Sequence, residues 1–387
     1  MGEGNGQNIV KVNLLEITFG NPMSHSGGIE DSTVNLIKEL SSMGYEITCV
    51  FCRNGGVSGT EKLKGARPIS MFGGRTWRIR NMVLQKILFN LWLFFYLTKR
   101  SGDFDIVHIN GDNGGLTTLF RRKGVVFSLP GLTLLKGRSL FGSSTFLRRA
   151  VMGFIYFPSM IFEQLALQFS AYAVCDNAVT EKAILGHLKP AKVLLIPNSV
   201  DPAHFYPVRN REDKRNLRMK LGIGESGMCA IWVGTNPFNY GLDRAIEAVI
   251  GVQSKWRLIV VGPPQAIKHD RVHYVGFLDH SALGDYYRAS DIILFPKRYQ
   301  GIELAVLSAM LSGVVPVLDS RFSPAHFSTN EVFFVDDVAD TVKLLDSLAN
   351  DPGKIEQKVQ NALARASLHL PVNCAQRYDR LFRSMSK

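Results

Sequence analysis

The segment from Ile9 to Cys52 alternates in a way that few architectures accommodate. A short apolar strand (Ile9 to Ile17) runs into a glycine-containing loop, FGNPMSHSGGIE. A helix follows with its apolar positions at Val34, Leu36–Ile37 and Leu40, and MGYEITCVFC returns as a second strand. Strand, glycine loop, helix and strand in that order open a doubly wound parallel sheet. Further strands are expected at Ile106–Asn110, Val125–Leu129, Ala171–Val174 and Val193–Ile196, with helices between them. After a charged, poorly apolar stretch from Asn210 to Lys220 the alternation begins again. It runs through Met228–Gly234, a helix from Gly241 to Ile250, Arg257–Gly262, Val272–Val275, a helix Ser281–Ala289, Ile292–Phe295, one more helix and Val314–Leu318. The series therefore predicts an α/β protein of two Rossmann-like doubly wound domains, and 387 residues are too many for one ordinary core. The expected division is 1–200, 201–370 and a terminal helix at 371–387 packing back towards the first domain, with the linker near Pro197–Tyr206.

The cysteines Cys49, Cys52, Cys175, Cys229 and Cys374 are odd in number and scattered, which favours free thiols in a reducing compartment. Cys49 and Cys52 form C-x-x-C, but on a strand their side chains point to opposite faces, against a metal or redox pair. The first ten residues are Gly-rich and polar, unlike a secretory signal, and no run reaches the ~20 apolar residues of a spanning helix. The expectation is a soluble or peripheral protein of the cytoplasm. The net charge of +12 is unevenly spread: between Arg75 and Arg149 stand 13 Lys/Arg against three acids, Asp103, Asp105 and Asp112. An electrostatic partner is expected on the N-terminal half.

Five segments carry a family resemblance. Gly27-Gly28-Ile29-Glu30 resembles G-G-x-E after a first strand, and IPNSVDPAHFYP (Ile196 to Pro207) resembles I-P-N-G-V-D-x-x-x-F-x-P. WVGTNPFNYGLDRAIEA resembles V-G-R followed by K-G and a helix. VHYVGFLDHSALGDYYRASDIILFP resembles the strand–helix–strand that precedes a donor motif, and QGIELAVLSAMLSG (Gln300 to Gly313) resembles E-G-x-x-x-x-x-x-E-A-M-x-x-G. In order and spacing the chain resembles glycosyltransferase family 4, of the GT-B fold. The resemblance implies two domains facing a central cleft, a nucleotide-sugar donor held mainly by the C-terminal domain and an acceptor held mainly by the N-terminal one. It also implies retention of anomeric configuration and neither bound metal nor other cofactor.

Breaking a glycosyl–phosphate bond builds negative charge on the leaving diphosphate, which without a metal needs cations or oriented N–H groups. The family's arginine and lysine stand here as Thr235 and Tyr240, and its two motif glutamates as Gln300 and Ser308. Lys297, Arg298 and Arg244 are the candidates to replace the cations, and Glu303 is either a displaced carboxylate or a solvated loop charge. Gly27 and Gly28 would let a backbone approach a phosphate. Gly234, Gly301 and Gly313 keep the family's glycine frame on the donor side. Glu30 either favours the helix dipole or contacts substrate.

The run Asp105-Ile106-Val107-His108-Ile109-Asn110 resembles the family's D-x-x-H-x-H. His108 is thus a catalytic candidate, weighed against a buried strand histidine, and Asn110 a hydrogen-bonding one. Pro130 stands where the family's T-x-H-G loop has its histidine. Asp103-Phe104-Asp105 mimics a D-x-D metal motif, but its place at a strand entry resembles the family's ordinary D-F-D-x-V-H.

Two apolar runs lie in or beside the basic window, Trp77 to Arg100 and Phe146 to Phe169. Each reads as a core helix or, given the cations, as contact with an anionic membrane surface through residues 75–149. No recognition motif supports a nucleic-acid partner. Two functions remain in view. One is a transferase moving a sugar onto a lipid-linked or membrane-proximal glycan, and the other a GT-B pseudoenzyme that binds a partner or glycan.

Overall fold

In the computed structural model, β1 (Asn13–Thr18) leads through α1 (Gly28–Ser42) to β2 (Glu46–Phe51), and the edge strand β3 (Ala66–Ser70) follows. The structure describes residues 12–22, 28–52, 63–71, 82–100, 102–111, 113–119, 124–129, 146–185, 192–224, 227–262, 264–265, 267–298, 304–321 and 327–385. Helix α2 (Met82–Thr98) precedes β4 (Ile106–Asn110) and β5 (Val125–Leu129). Then come α3 (Phe146–Phe169), β6 (Tyr172–Cys175), α4 (Ala178–Leu185) and β7 (Val193–Leu195). All pairings are parallel, in the order β3-β2-β1-β4-β5-β6-β7. The order reverses between β1 and β4.

The second series starts with α5 (Arg211–Lys220), β8 (Met228–Val233), α6 (Leu242–Gly251), β9 (Trp256–Val261) and β10 (Val272–Gly276). It continues with α7 (His280–Ala289), β11 (Ile292–Phe295), α8 (Leu304–Leu311), β12 (Val315–Asp319) and β13 (Phe333–Val335). Helices α9 (Val338–Asn350), α10 (Gly353–Ser367) and α11 (Pro371–Met385) close the chain. This parallel sheet has the order β10-β9-β8-β11-β12-β13 and reverses between β8 and β11. The chain forms two units, Met1–Asn198 with Pro371–Lys387, and Ser199–Leu370.

Parallel strands covered by helices on both faces must be apolar on both faces, and β5 and β12 are buried at every residue. On one face of the first sheet, Leu15, Ile17, Val107, Ile109 and Phe127 meet Phe89, Leu93 and Leu97 of α2 and Ala166 and Leu167 of α3. On the other, Leu14, Ile47, Ile106 and Val126 meet Leu36, Ile37 and Leu40 of α1 and Tyr378, Leu381 and Phe382 of α11. The last helix is thus part of the first unit's core. In the second unit, α7, α8 and α10 cover one sheet face and α6 and α9 the other.

Helix α5 and strand β3 stand where the sequence reading placed no element. The stretch from Asn210 to Lys220, read as merely charged, is helix α5. Asn210 caps it by accepting from the Asp213 N–H at 2.8 Å, and Glu212 and Asp213 occupy its first turn. Lys214 and Arg218 then anchor it to Asp291 at 2.7 and 2.6 Å. Burial works to raise the Asp291 carboxyl, but the two cations and the Cys229 N–H hold it below the usual carboxylate range. Strand β3, with Pro68 in its middle, is possible because it lies at the sheet edge.

Candidate active site

In a doubly wound sheet, ligands bind beyond the carboxyl ends of the strands where the order reverses. Each unit has one such point. In the second unit it is formed by the residues after β8 and after β11. Gly234 and Thr235 follow β8, and a turn from Asn236 to Gly241 leads into α6. Lys297 and Arg298 follow β11, and the Arg298 N–H donates to the Asn239 carbonyl at 2.8 Å, so the two loops are joined.

The Tyr240 ring is not a cation substitute but an aromatic cap. It lies 5.3 Å from the Phe295 ring and 6.4 Å from Trp232, whose Nε1–H donates to the Tyr240 carbonyl at 3.0 Å. A Cβ at Gly234 would lie 2.5 Å from this ring, so the glycine at the end of β8 is needed to seat it. Thr235 is exposed beside it.

The three cations fare differently. Lys297 is buried. Arg244 is committed to Asp319 at 2.8 Å, at the end of β12, a carboxylate that Arg321 also binds. Arg298, like Arg244, is partly exposed. It holds Asp243 through both guanidinium nitrogens at 2.9 and 2.6 Å, donates to the Phe238 carbonyl and stands 4.5 Å over the Phe238 ring. Burial works to raise the Asp243 carboxyl, but Arg298 holds it below its ordinary value. Asp243 and Phe238 were not singled out from sequence, yet they fix the guanidinium of Arg298 beside the turn after β8. Ser308 is buried within α8. Gln300, Gly301 and Glu303 lie outside the described residues, as does Gly27.

In the first unit the corresponding edge carries Gly28 at the start of α1 and Asn110 at the end of β4. Asn110 Nδ2 donates to Thr33 Oγ1 on α1 at 2.9 Å. Glu30 is half-buried, its carboxyl lying against the backbone of Gly20 in the loop after β1. Burial raises that carboxyl above its usual range, its own backbone N–H pulls it partly back, and Asp31 adds to the rise. Beside it, Asp176 binds Asn198 at 3.1 Å and Asn177 at 2.6 Å, while Ser32 reaches Asn198 at 3.3 Å. This polar cluster gives Asn198 of the matched linker a role the sequence did not reveal.

His108 is the correction. Its ring is 0% exposed, with Nδ1 2.6 Å from Glu16 Oε2 and Nε2 2.6 Å from Ser128 Oγ. Ser128 Oγ lies 2.8 Å from the Tyr378 hydroxyl on α11. Burial pushes the Tyr378 phenol far up, so it stays protonated. Glu16, His108, Ser128 and Tyr378 thus form a buried polar chain that fastens the last helix to the sheet. A ring with both nitrogens engaged inside a core does not face a reacting sugar, and the buried-histidine reading replaces the catalytic one.

All five cysteines are free and buried. Cys49 and Cys52 sit in the cores on opposite sheet faces, and burial pushes the Cys52 thiol up to about 11. Among the described residues no three His, Cys, Asp or Glu side chains converge as a metal site.

Two family models match in succession and together span most of the chain. One, described as Glycosyltransferase Family 4, covers residues 26–204, and the other, Glycosyl transferases group 1, covers residues 229–351. Among solved structures the chain superposes on sucrose-phosphate synthase from Thermosynechococcus elongatus with a TM-score of 0.80 at 17% identity, covering 97% of this chain and 99% of that one. It also superposes on HepE of Anabaena in complex with UDP-glucose with a TM-score of 0.70 at 15% identity, covering 96% and 100%. The two family-model matches and the two-sheet fold together place the chain in the GT-B class of glycosyltransferases. Within that class the chain resembles family 4. Of curated relatives, the lipopolysaccharide core biosynthesis mannosyltransferase LpsB of Rhizobium meliloti is 24% identical over 214 residues, 48% of this chain and 60% of that one. The uncharacterized glycosyltransferase MJ1607 of Methanocaldococcus jannaschii is 23% identical over 39% of this chain and 44% of its own. The matched stretch thus spans about half the length of these curated relatives.

Proposed function

We propose that the chain transfers a hexosyl or related sugar from a nucleotide-sugar donor to a lipid-linked or membrane-proximal glycan, with retention and without a bound metal, at the cytoplasmic face of a membrane. One observation carries the reading: two residues at family donor-contact positions, Thr235 and Tyr240, and two candidate replacement cations fall where the second sheet reverses. Gly234, Thr235 and Tyr240 follow β8, and Lys297 and Arg298 follow β11. The likeness to a lipopolysaccharide mannosyltransferase supports a membrane-linked glycan as acceptor, and the likeness to a fold that holds UDP-glucose supports a nucleoside diphosphate sugar as donor.

In this reading Arg298 meets the diphosphate. Its guanidinium is held by Asp243 and Phe238 beside the start of α6. Placed there, a fixed cation stabilises charge that develops on the leaving group more than charge already spread in the ground state. Tyr240 supplies an apolar wall. Asn110, at the edge of the first unit, offers a hydrogen bond to a sugar hydroxyl.

The test is a calorimetric titration of the purified chain with UDP, GDP, ADP and their sugar conjugates in the absence of added metal. Specific micromolar binding of one nucleotide is expected. No binding across the panel overturns the reading and leaves a binding-only GT-B protein.

A further inference from the structure

We propose that the buried chain of Glu16, His108, Ser128 and Tyr378 is a proton-sensitive latch. One proton gained by the Glu16–His108 pair reverses the direction of the hydrogen bonds that lead to Tyr378 and loosens α11 from the first sheet. The latch acts on the fold of the first unit and is independent of which donor or acceptor the chain uses.

Three neighbouring strands bury a polar side chain beneath α11. Glu16 of β1 and His108 of β4 are 0% exposed, and Ser128 of β5 and Tyr378 of α11 are buried with them. Apolar side chains would fill these places without the cost of desolvating an ionisable pair, so packing alone does not account for the chain. The geometry restricts where its protons can sit. The 2.6 Å contact of His108 Nδ1 with Glu16 Oε2 needs a proton between the two atoms. With that proton alone, Nε2 is bare and accepts from the Ser128 hydroxyl at 2.6 Å, and Ser128 in turn accepts from Tyr378 at 2.8 Å. A second proton has two places to go. Glu16 Oε1 is buried with no hydrogen-bond partner among the described residues, whereas Nε2 faces Ser128 Oγ, so the proton takes Nε2. Nε2 then donates, Ser128 turns its hydroxyl towards Tyr378, and the Tyr378 hydrogen loses its acceptor. Among the described residues Ser128 is the one hydrogen-bond partner of that hydroxyl. A buried donor left unpaired costs more than an ordinary hydrogen bond gains, and here the cost falls on the helix that carries it.

The groups packed round the pair leave it as the one that titrates. From β2 comes Cys49, the register partner of Glu16, and from α11 come Tyr378 and Cys374, with Arg377 near Cys374. Asp176, after β6, adds negative potential at Tyr378, and α1 covers the same face with Leu36, Ile37 and Leu40. Burial holds the Cys49 and Cys374 thiols and the Tyr378 phenol above their usual ranges. All three therefore stay neutral where an imidazole–carboxylate pair exchanges its proton.

The experiment is hydrogen exchange of the intact chain at about pH 5.5 and about pH 8.5, with amides of the second unit as reference, beside nitrogen NMR of the histidine imidazoles. His108 should gain a proton on Nε2 towards acid, and protection of α11 relative to that reference should fall about tenfold. Tyr378→Phe removes the hydroxyl, so α11 should be equally protected at the two pH values while His108 still gains its proton. Tyr45→Phe removes the other polar link of α11, from the Tyr45 hydroxyl to Asp379 Oδ1 at 2.8 Å. It should lower protection at both pH values and keep the step between them. The proposal is overturned if Nε2 holds one protonation state throughout, or if α11 protection is unchanged or rises in acid. A step that survives Tyr378→Phe, or that Tyr45→Phe also abolishes, overturns it as well.

Discussion

Replacing Gly241 by alanine should cost more stability than the same change at Gly276, although the two hold nearly the same left-handed backbone, with φ of 72° and 74°. The backbone contribution is common to both, about 1–2 kcal/mol for a residue with a Cβ. The space around them differs. Nothing lies within 4 Å of a Cβ at Gly276. At Gly241 it would fall 2.7 Å from the Pro296 carbonyl carbon, closer than real Cβ contacts come, closer still to the carbonyl oxygen, and 3.1 Å from Pro296 Cγ. The turn before α6 must then move off the end of β11, at an overpacking cost of about 1–3 kcal/mol more. Urea unfolding followed by tryptophan fluorescence should therefore give a loss of about 1–2 kcal/mol for Gly276→Ala and about 2–5 kcal/mol for Gly241→Ala, from shifted midpoints at constant slope. The same contact holds the two loops of the switch point together, so Gly241→Ala should also weaken nucleotide binding while Gly276→Ala leaves it unchanged. Equal losses of stability in the two variants would refute the steric account.

Asp291→Asn removes the shared counter-charge of Lys214 and Arg218 and should cost about 3 kcal/mol at neutral pH, measured by the same unfolding assay. Because the folded Asp291 carboxyl is held below its unfolded value, the stability it adds is present above about pH 4 and is lost as pH falls through the folded value. The gap between the two proteins should accordingly shrink in acid. Tyr378→Phe breaks the outer link of the buried chain and should cost about 1 kcal/mol; hydrogen exchange at α11 should accelerate while that of the second unit does not. Arg298→Ala should weaken binding of the preferred nucleoside diphosphate about 10- to 100-fold in calorimetry, and an unchanged affinity would place the phosphate charge elsewhere.

Much of the architecture was legible because parallel strands buried on both faces leave continuous apolar runs. Ile106–Asn110, Val125–Leu129 and Ile292–Phe295 stand in the structure with the same ends as in the sequence reading. Helix α5 was not, since its stability comes from ion pairs to Asp291, far away in sequence, rather than from an apolar stripe. Its capping asparagine and its acid-first, base-last charge order were the signals available. At the site, glycines and aromatics could be located by spacing, but which cation faces outward could not. Lys297 and Arg298 are adjacent in sequence, and only Asp243 and Phe238 distinguish the presented arginine from the buried lysine. His108 misled for the complementary reason: a strand motif fixes which face a side chain points to, not that a helix 250 residues or more away covers that face with Tyr378.

That covering helix makes the first-made unit wait on the last-made segment. A ribosome makes every residue of Ser199–Leu370 before the Pro371–Met385 segment that shields the first sheet. The first-made unit therefore cannot complete its core until the second has been made, and until then Leu14, Ile106 and Val126 have only α1 over that face of their sheet. A nascent chain halted anywhere in the second unit carries a complete set of strands for the first and lacks its last wall. The earliest-made half of this protein is the one that stays incomplete for the whole of its synthesis.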